Sequence, residues 1–208
     1  MLSNGNTQVP NKNRRSNNIT PQNISPEKRV AASLLLILLG IASRTFFHLG
    51  DNIEYVTSSS LLAGSFLGFP YFLIVPLSIM AVSDFIIGNS MIFIYTWSAF
   101  IFIAILGRFF NKSQKSFTGS ISKSLFLAFL SSLIFYIWTN FGVWQQDNFG
   151  MYSKDLKGLI DSYIMGIPFF KSNLFGNLLF VPLSYLIFPR LLSFKPDKSF
   201  FKKILISN

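Results

Sequence analysis

Residues 135–152 read FYIWTNFGVWQQDNFGMY. The stretch starts as a run apolar enough for lipid, then delivers Thr139, Asn140, Trp144, two glutamines and Asp147 in quick succession. Polar side chains are costly in and beside hydrocarbon, so a chain that leaves the bilayer through an amide and indole rings has a use for them there. What that use is depends on the rest of the chain.

Half of the 208 residues are apolar and only 12% are charged, whereas a soluble domain carries about a quarter charged residues. The apolar residues fall in long blocks rather than in stripes of period 2 or 3.6, the pattern of a membrane protein. No cysteine is present, so disulfide and thiolate chemistry are excluded. The single His48 cannot build a histidine-rich metal site, and neither metal nor cofactor is expected. The net charge of +10 fits either a nucleic-acid partner or basic membrane-flanking loops, and position decides between them.

Six apolar blocks predict six transmembrane helices in an all-α polytopic protein, at about 29–48, 55–68, 70–87, 91–110, 123–143 and 173–192. The second is short and glycine-rich. Residues 1–27 read as a disordered cytoplasmic tail with a helix start at its end, Ser25 as N-cap and Pro26 at the first helical position. Residues 193–208 read as a basic cytoplasmic tail. Fourteen of the eighteen basic residues lie in alternate regions: before the first block, between the fourth and fifth, and after the sixth. That bias puts both termini in the cytoplasm of a cell (inner) membrane and leaves no role for nucleic acid. The first block is long for the apolar region of a signal peptide, although GIASR (40–44) offers a cleavage-like site.

Between the last two blocks, Leu156, Leu159, Ile160, Tyr163, Ile164 and Ile167 share one helical face, with Lys157, Gly158, Asp161 and Ser162 on the other. This predicts an interfacial or re-entrant helix at about 154–168, ended by Pro168 and lying across the outer mouth.

Polar residues then gather at one depth. Arg44, His48 and Asp51 follow one another at i, i+4 and i+7 at the outer end of the first helix. Asp84 ends the third helix, Asn140 and Trp144 end the fifth, and Asn173 and Asn177 begin the sixth one turn apart. With Asp161 and Tyr163 on the mouth helix, these are the candidate substrate-binding residues, around an outward-facing polar cavity. Each also has a plain structural reading. Arg44 reaches headgroups or pairs with Asp84, His48 sits at the interface, Trp138 and Trp144 belong to an aromatic belt, and Asn140 caps backbone. Ser60, Gly64 and Gly68 recur every fourth residue, a small-residue face for helix packing, inside the bundle in preference to a partner subunit.

The blocks VSDFIIG (82–88), YTWSAFIFIAILGRFF (95–110), TNFGVW (139–144) and GLIDSYIMGIPFFKSNLFGNLLF (158–180) together resemble an uncharacterised family of bacterial integral membrane proteins. That family in turn resembles the substrate-binding S components of energy-coupling-factor (ECF) transporters. The resemblance spans about residues 30–190. It implies a six-helix bundle with a solute pocket opening outward, and a cytoplasmic-side partnership with a transmembrane coupling subunit and ATPases. Two features depart from the pattern: HLGDNIEYVT (48–57) lacks a proline-rich turn, and Asn177 stands where an acid is expected.

Three functions follow as expectations. The first is capture of a small, vitamin-like solute for uptake, without catalysis. The chain has no G-x-x-x-x-G-K-[ST] loop, so partner ATPases would drive transport. The second is a membrane assembly or scaffold protein. The third is an intramembrane enzyme using Asp161, Asp84 or His48, for which no Ser-His spacing, H-E-x-x-H or paired-carboxylate motif speaks.

Overall fold

The computed structural model describes residues 21–47, 50, 52–88, 91–110, 117–147 and 149–193. Among these the chain is all-helical, with no strand. After a short 3₁₀ turn at Pro21–Asn23 come α1 (Pro26–Thr45), α2 (Val56–Leu62), α3 (Tyr71–Ile87), α4 (Phe93–Phe110), α5 (Phe117–Gln146) and α6 (Leu156–Ser193). Helix α4, α5 from Ile121 onward, and α6 are long and apolar enough to cross a membrane, and Val56–Leu67 and Tyr71–Ile87 form shorter apolar helices.

Helix α1 begins where Pro26 is harmless, because the first N–H groups of a helix have no intrahelical partner. Ser25 is the N-cap residue but contributes through its backbone, its carbonyl accepting from Arg29 N–H at 3.1 Å, and its side chain makes no cap bond. The tail expected to be disordered up to residue 27 is ordered from the 3₁₀ turn on, and Ile24 is buried in the core. The remainder of that tail, and the basic tail after Ser193, lie outside the described residues.

Helix α2 continues without a break into a π-helical turn, Ala63–Leu67, and every residue from Val56 to Leu67 is buried. Together they rise about 18 Å, short of the roughly 30 Å of a hydrocarbon core. This segment is therefore the centre of the bundle, enclosed by its neighbours. Among its hydroxyls, Ser60 Oγ donates to Val56 O at 2.8 Å and Ser59 Oγ donates to Leu36 O of α1 at 3.1 Å, while Ser58 Oγ is buried with no hydrogen-bond partner. A Cβ on Gly64 would overlap the Ala104 carbonyl oxygen of α4, and one on Gly107 would overlap that of Leu61. The two backbones meet because these residues lack side chains. The packing face is thus internal, at Ser60 and Gly64. Gly68 departs from that expectation. It lies past the helix end with φ at 72°, a conformation glycine adopts freely, and it turns the chain toward α3.

The largest correction concerns α6. The interfacial helix and the sixth span are one 38-residue helix, about 57 Å long. Pro168 does not end it, and neither do Pro182 and Pro189. A proline forfeits one N–H donor and crowds the carbonyl four residues back. Here α6 is clamped on both sides of Pro168. Gly166 lies against the Asn140 side chain, and Asn173 Nδ2 donates to Asn52 O at 3.2 Å. Helix α5 likewise runs beyond the expected 123–143.

Lys28 Nζ donates to Leu192 O at 2.9 Å, so the start of α1 and the end of α6 share one end of the bundle. A cation beside the last carbonyls also complements the α6 dipole. The cavity described next lies toward the other end, where α1, α3 and α5 finish.

Candidate functional site

One face of α5 forms the main wall of a cavity of about 270 Å³. Ser132, Phe135, Tyr136, Thr139, Asn140 and Val143 line it, at the spacing of one helical stripe. Gly166, Phe169, Phe170 and Asn173 of α6 face them. Arg44 from the last turn of α1, Asn52 from the α1–α2 connection, and Ile92 and Thr96 at the head of α4 complete the enclosure. The lining mixes amides, hydroxyls and aromatic rings, the composition of sites that orient a small molecule by a few polar contacts.

Asn140 sits at the centre of the α5–α6 contact. Its Nδ2 donates to Tyr136 O at 2.8 Å, and a Cβ on Gly166 would overlap its Oδ1. Glycine at 166 is what lets an amide fit between the helices. Asn173 spends both polar atoms, its Nδ2 on Asn52 O and its Oδ1 on Asn177 Nδ2 at 2.9 Å. Asn177 also donates to Ser132 Oγ at 2.8 Å. Asn177 is therefore a buried brace one turn below the wall, joining α6 to α5.

Arg44 is held among acids. Its Nη1 donates to Asp84 Oδ1 at 2.7 Å and to Ser83 Oγ at 2.6 Å. Its Nε lies 3.1 Å from Glu54 Oε2, at ion-pair distance but out of line for a hydrogen bond. Asp84, 8% exposed, accepts from Trp97 Nε1 through its other oxygen at 2.7 Å. Of the two structural readings of Arg44, pairing with Asp84 is the one observed. Asp84 stands behind the wall rather than in it.

Three candidates lie away from the cavity. Trp144 Nε1 donates to Ser153 O at 2.9 Å, and Lys154 Nζ lies 5.9 Å from the Trp144 ring while capping the last carbonyls of α5. Tyr163 OH donates to Ile137 O at 3.1 Å, and its carbonyl accepts from Tyr136 OH at 2.6 Å. Both residues fasten the α5–α6 hairpin. Asp161 is half-buried on α6 and does not line the cavity. His48 and Asp51 lie outside the described residues.

The hairpin connection is self-contained. Asp147 accepts from the backbone N–H groups of Met151 and Tyr152, both at 2.9 Å. Asp155 accepts from Ser153 Oγ at 2.7 Å and from Gly158 N–H at 2.8 Å, capping α6. The opening stretch therefore divides in two. Thr139, Asn140 and Val143 face the cavity, while Trp144 and Asp147 build the turn.

Sequence reading did not single out Ser132, Tyr136, Asn52, Trp97 or the pairing role of Glu54. The stripe on α5 was detectable, since Ser132, Tyr136, Thr139 and Asn140 lie at spacings of three, four and seven or eight. The Trp97–Asp84 contact joins two helices and has no local signature. Among the described residues, no three His, Cys, Asp or Glu side chains come together as a metal site.

Fold and site together define an all-helical membrane-type protein with a polar, aromatic-lined cavity beneath one rim. The chain belongs to a family of unknown function, DUF6580, which matches residues 24–196. No curated protein and no solved structure matches the chain.

Proposed function

We propose that this chain is the solute-capturing membrane subunit of a small-molecule uptake system. In this reading the six-helix bundle spans a cell membrane, with the short α2 segment enclosed within it, both termini in the cytoplasm and the cavity opening to the outside. The observation that carries it is the 270 Å³ cavity walled by Asn140, Thr139 and Tyr136 of α5 and by Phe170 and Asn173 of α6. Buried amides and hydroxyls are expensive among apolar helices, and here they converge on a space rather than scattering toward lipid. The basic residues Lys28, Arg29, Arg108, Lys123 and Arg190 flank the opposite ends of the helices, which supports a cytoplasmic assignment for that side. The resemblance of TNFGVW and GIPFFKSNLFGN (166–177) to an uncharacterised membrane family, which in turn resembles ECF S components, points the same way. It supplies the expected partners, a transmembrane coupling subunit and ATPases.

The test is to purify the full chain in mild detergent, denature it, and identify released small molecules by mass spectrometry. A compound released from the wild type and absent from Asn140→Ala at equal yield is the expected result. A scaffold role predicts no released compound and full tolerance of alanine at Asn140.

A further inference from the structure

The three nitrogens of the Arg44 guanidinium are not equivalent. Nη1 donates to Asp84 Oδ1 at 2.7 Å and to Ser83 Oγ at 2.6 Å, with Met80 Sδ at 3.3 Å. Nε is fully buried beside Glu54 Oε2 at 3.1 Å. Nη2 makes no hydrogen bond among the described residues and, unlike Nε, is not sealed from open space. Since Arg44 lines the cavity, Nη2 is the corner of the group left to meet what enters it. We infer that the cavity recognises its solute by an oxygen acceptor, a carbonyl or a carboxylate, set against Arg44 Nη2; this rests on the capture reading above.

A guanidinium carries five N–H donors, no acceptor and a permanent charge. A charged donor without a partner among apolar helices is costly, and a hydrogen bond to it is stronger than one between neutral groups. The bonds at Nη1 also hold the planar group still, so the direction in which Nη2 donates is set before a solute arrives. Carbonyl and carboxylate oxygens both answer that donor, whereas an ammonium or amidinium offers only further N–H groups. Three side-chain amides share the wall with Arg44: Asn52, Asn140 and Asn173. Asn173 is engaged with Asn52 O and Asn177, and Asn140 donates one N–H to Tyr136 O. The second N–H and the carbonyl of Asn140 make no hydrogen bond, so the wall can also bind the flank of the group that Nη2 grips. Phe135, Tyr136, Phe169 and Phe170 supply ring faces for the body of the solute.

Three probes of one shape separate the cases: benzamide, benzoate and benzamidinium, titrated against the full chain in detergent by ligand-observed NMR at neutral pH. The better of the two oxygen probes should bind about tenfold or more tighter than benzamidinium. Benzoate as the tighter names a carboxylate as the source of the oxygen, and benzamide as the tighter names a neutral carbonyl. Arg44→Lys keeps a cation for Asp84 but removes Nη2, so the preference should shrink to about threefold or less in a chain whose unfolding midpoint shows it folded. A full preference retained there overturns the inference, because charge alone would explain it. The wild type gives a reading that needs no variant. With arginine labelled by nitrogen-15, an oxygen probe at saturation should move one arginine Nη signal that benzamidinium leaves in place, and no movement overturns the inference. Equal binding of all three probes, or release from the denatured wild type of a compound without an acceptor oxygen, overturns it and leaves capture intact. If no probe binds and nothing is released, the capture reading itself fails and the inference falls with it.

Discussion

Arg44 and Asp84 are joined at 2.7 Å across α1 and α3, with Glu54 on the far side of the guanidinium and Trp97 on the far side of the carboxylate. This chain of contacts ties α1, the α1–α2 connection, α3 and α4 at one rim. Removing its cation leaves Asp84 buried with one donor fewer. Breaking a buried pair from one side costs about 3–5 kcal/mol. Arg44→Ala should therefore lower the midpoint of thermal unfolding in detergent strongly, and Arg44→Met combined with Asp84→Leu should lose less. An equal or greater loss in the double variant would contradict this account of the rim.

Helix α2 offers an independent test of packing. Any side chain at Gly64 must move the α4 backbone at Ala104, and overpacking of this kind costs about 1–3 kcal/mol. Ser60→Ala removes a hydroxyl bonded only to its own helix at Val56 O, and should cost about 1 kcal/mol or less. Unfolding midpoints of Gly64→Ala and Ser60→Ala, compared at equal detergent concentration, give the ranking.

The connection between α5 and α6 should respond to acid. The N–H of Tyr152 first, then that of Met151 and the charge of Lys154, hold the Asp147 carboxyl below the ordinary aspartate value of 3.8. The Ser153 hydroxyl first, and the Gly158 N–H next, do the same for Asp155. A carboxylate with a depressed folded value stabilises the fold above its unfolded value and loses that contribution as pH falls through the folded one. The connection should thus stay protected from near neutrality down to about pH 4 and loosen below that. Amide exchange at Met151 and Tyr152 across this range reads it directly, and protection that vanished between pH 7 and 5 would contradict the assignment.

Trp144 and Tyr163 should prove structural. Trp144→Phe loses the bond to Ser153 O and Tyr163→Phe the bond to Ile137 O, each worth about 0.5–1.5 kcal/mol. Both variants should keep any solute that the wild type retains, unlike Asn140→Ala. Quantifying the retained compound in the three variants separates hairpin from cavity.

Much of the helix plan was legible because apolar blocks and glycine-bearing turns are local signals. The segments expected at 70–87 and 91–110 appear as Tyr71–Ile87 and Phe93–Phe110. The continuity of α6 was hidden because Pro168 carries a local stop signal that packing at Gly166 and Asn173 overrides. In the candidate site, Arg44, Asn140 and Asn173 stood out as costly polar groups at helix ends, and all three line the cavity. Trp144 and Tyr163 carried the same signal, yet their polar atoms go to backbone carbonyls of the hairpin. Polarity at a given depth shows that a partner is needed, and only the three-dimensional neighbours show which one it is.

The most direct measurement is a high-resolution experimental map of the purified full chain in a lipid nanodisc, inspected in the space between Asn140, Phe170 and Arg44. The expected result is density for a compact small molecule in contact with the Asn140 amide and lost in Asn140→Ala. Side chains closed on one another with no space between them, or a lipid tail filling it, would contradict the capture of a solute.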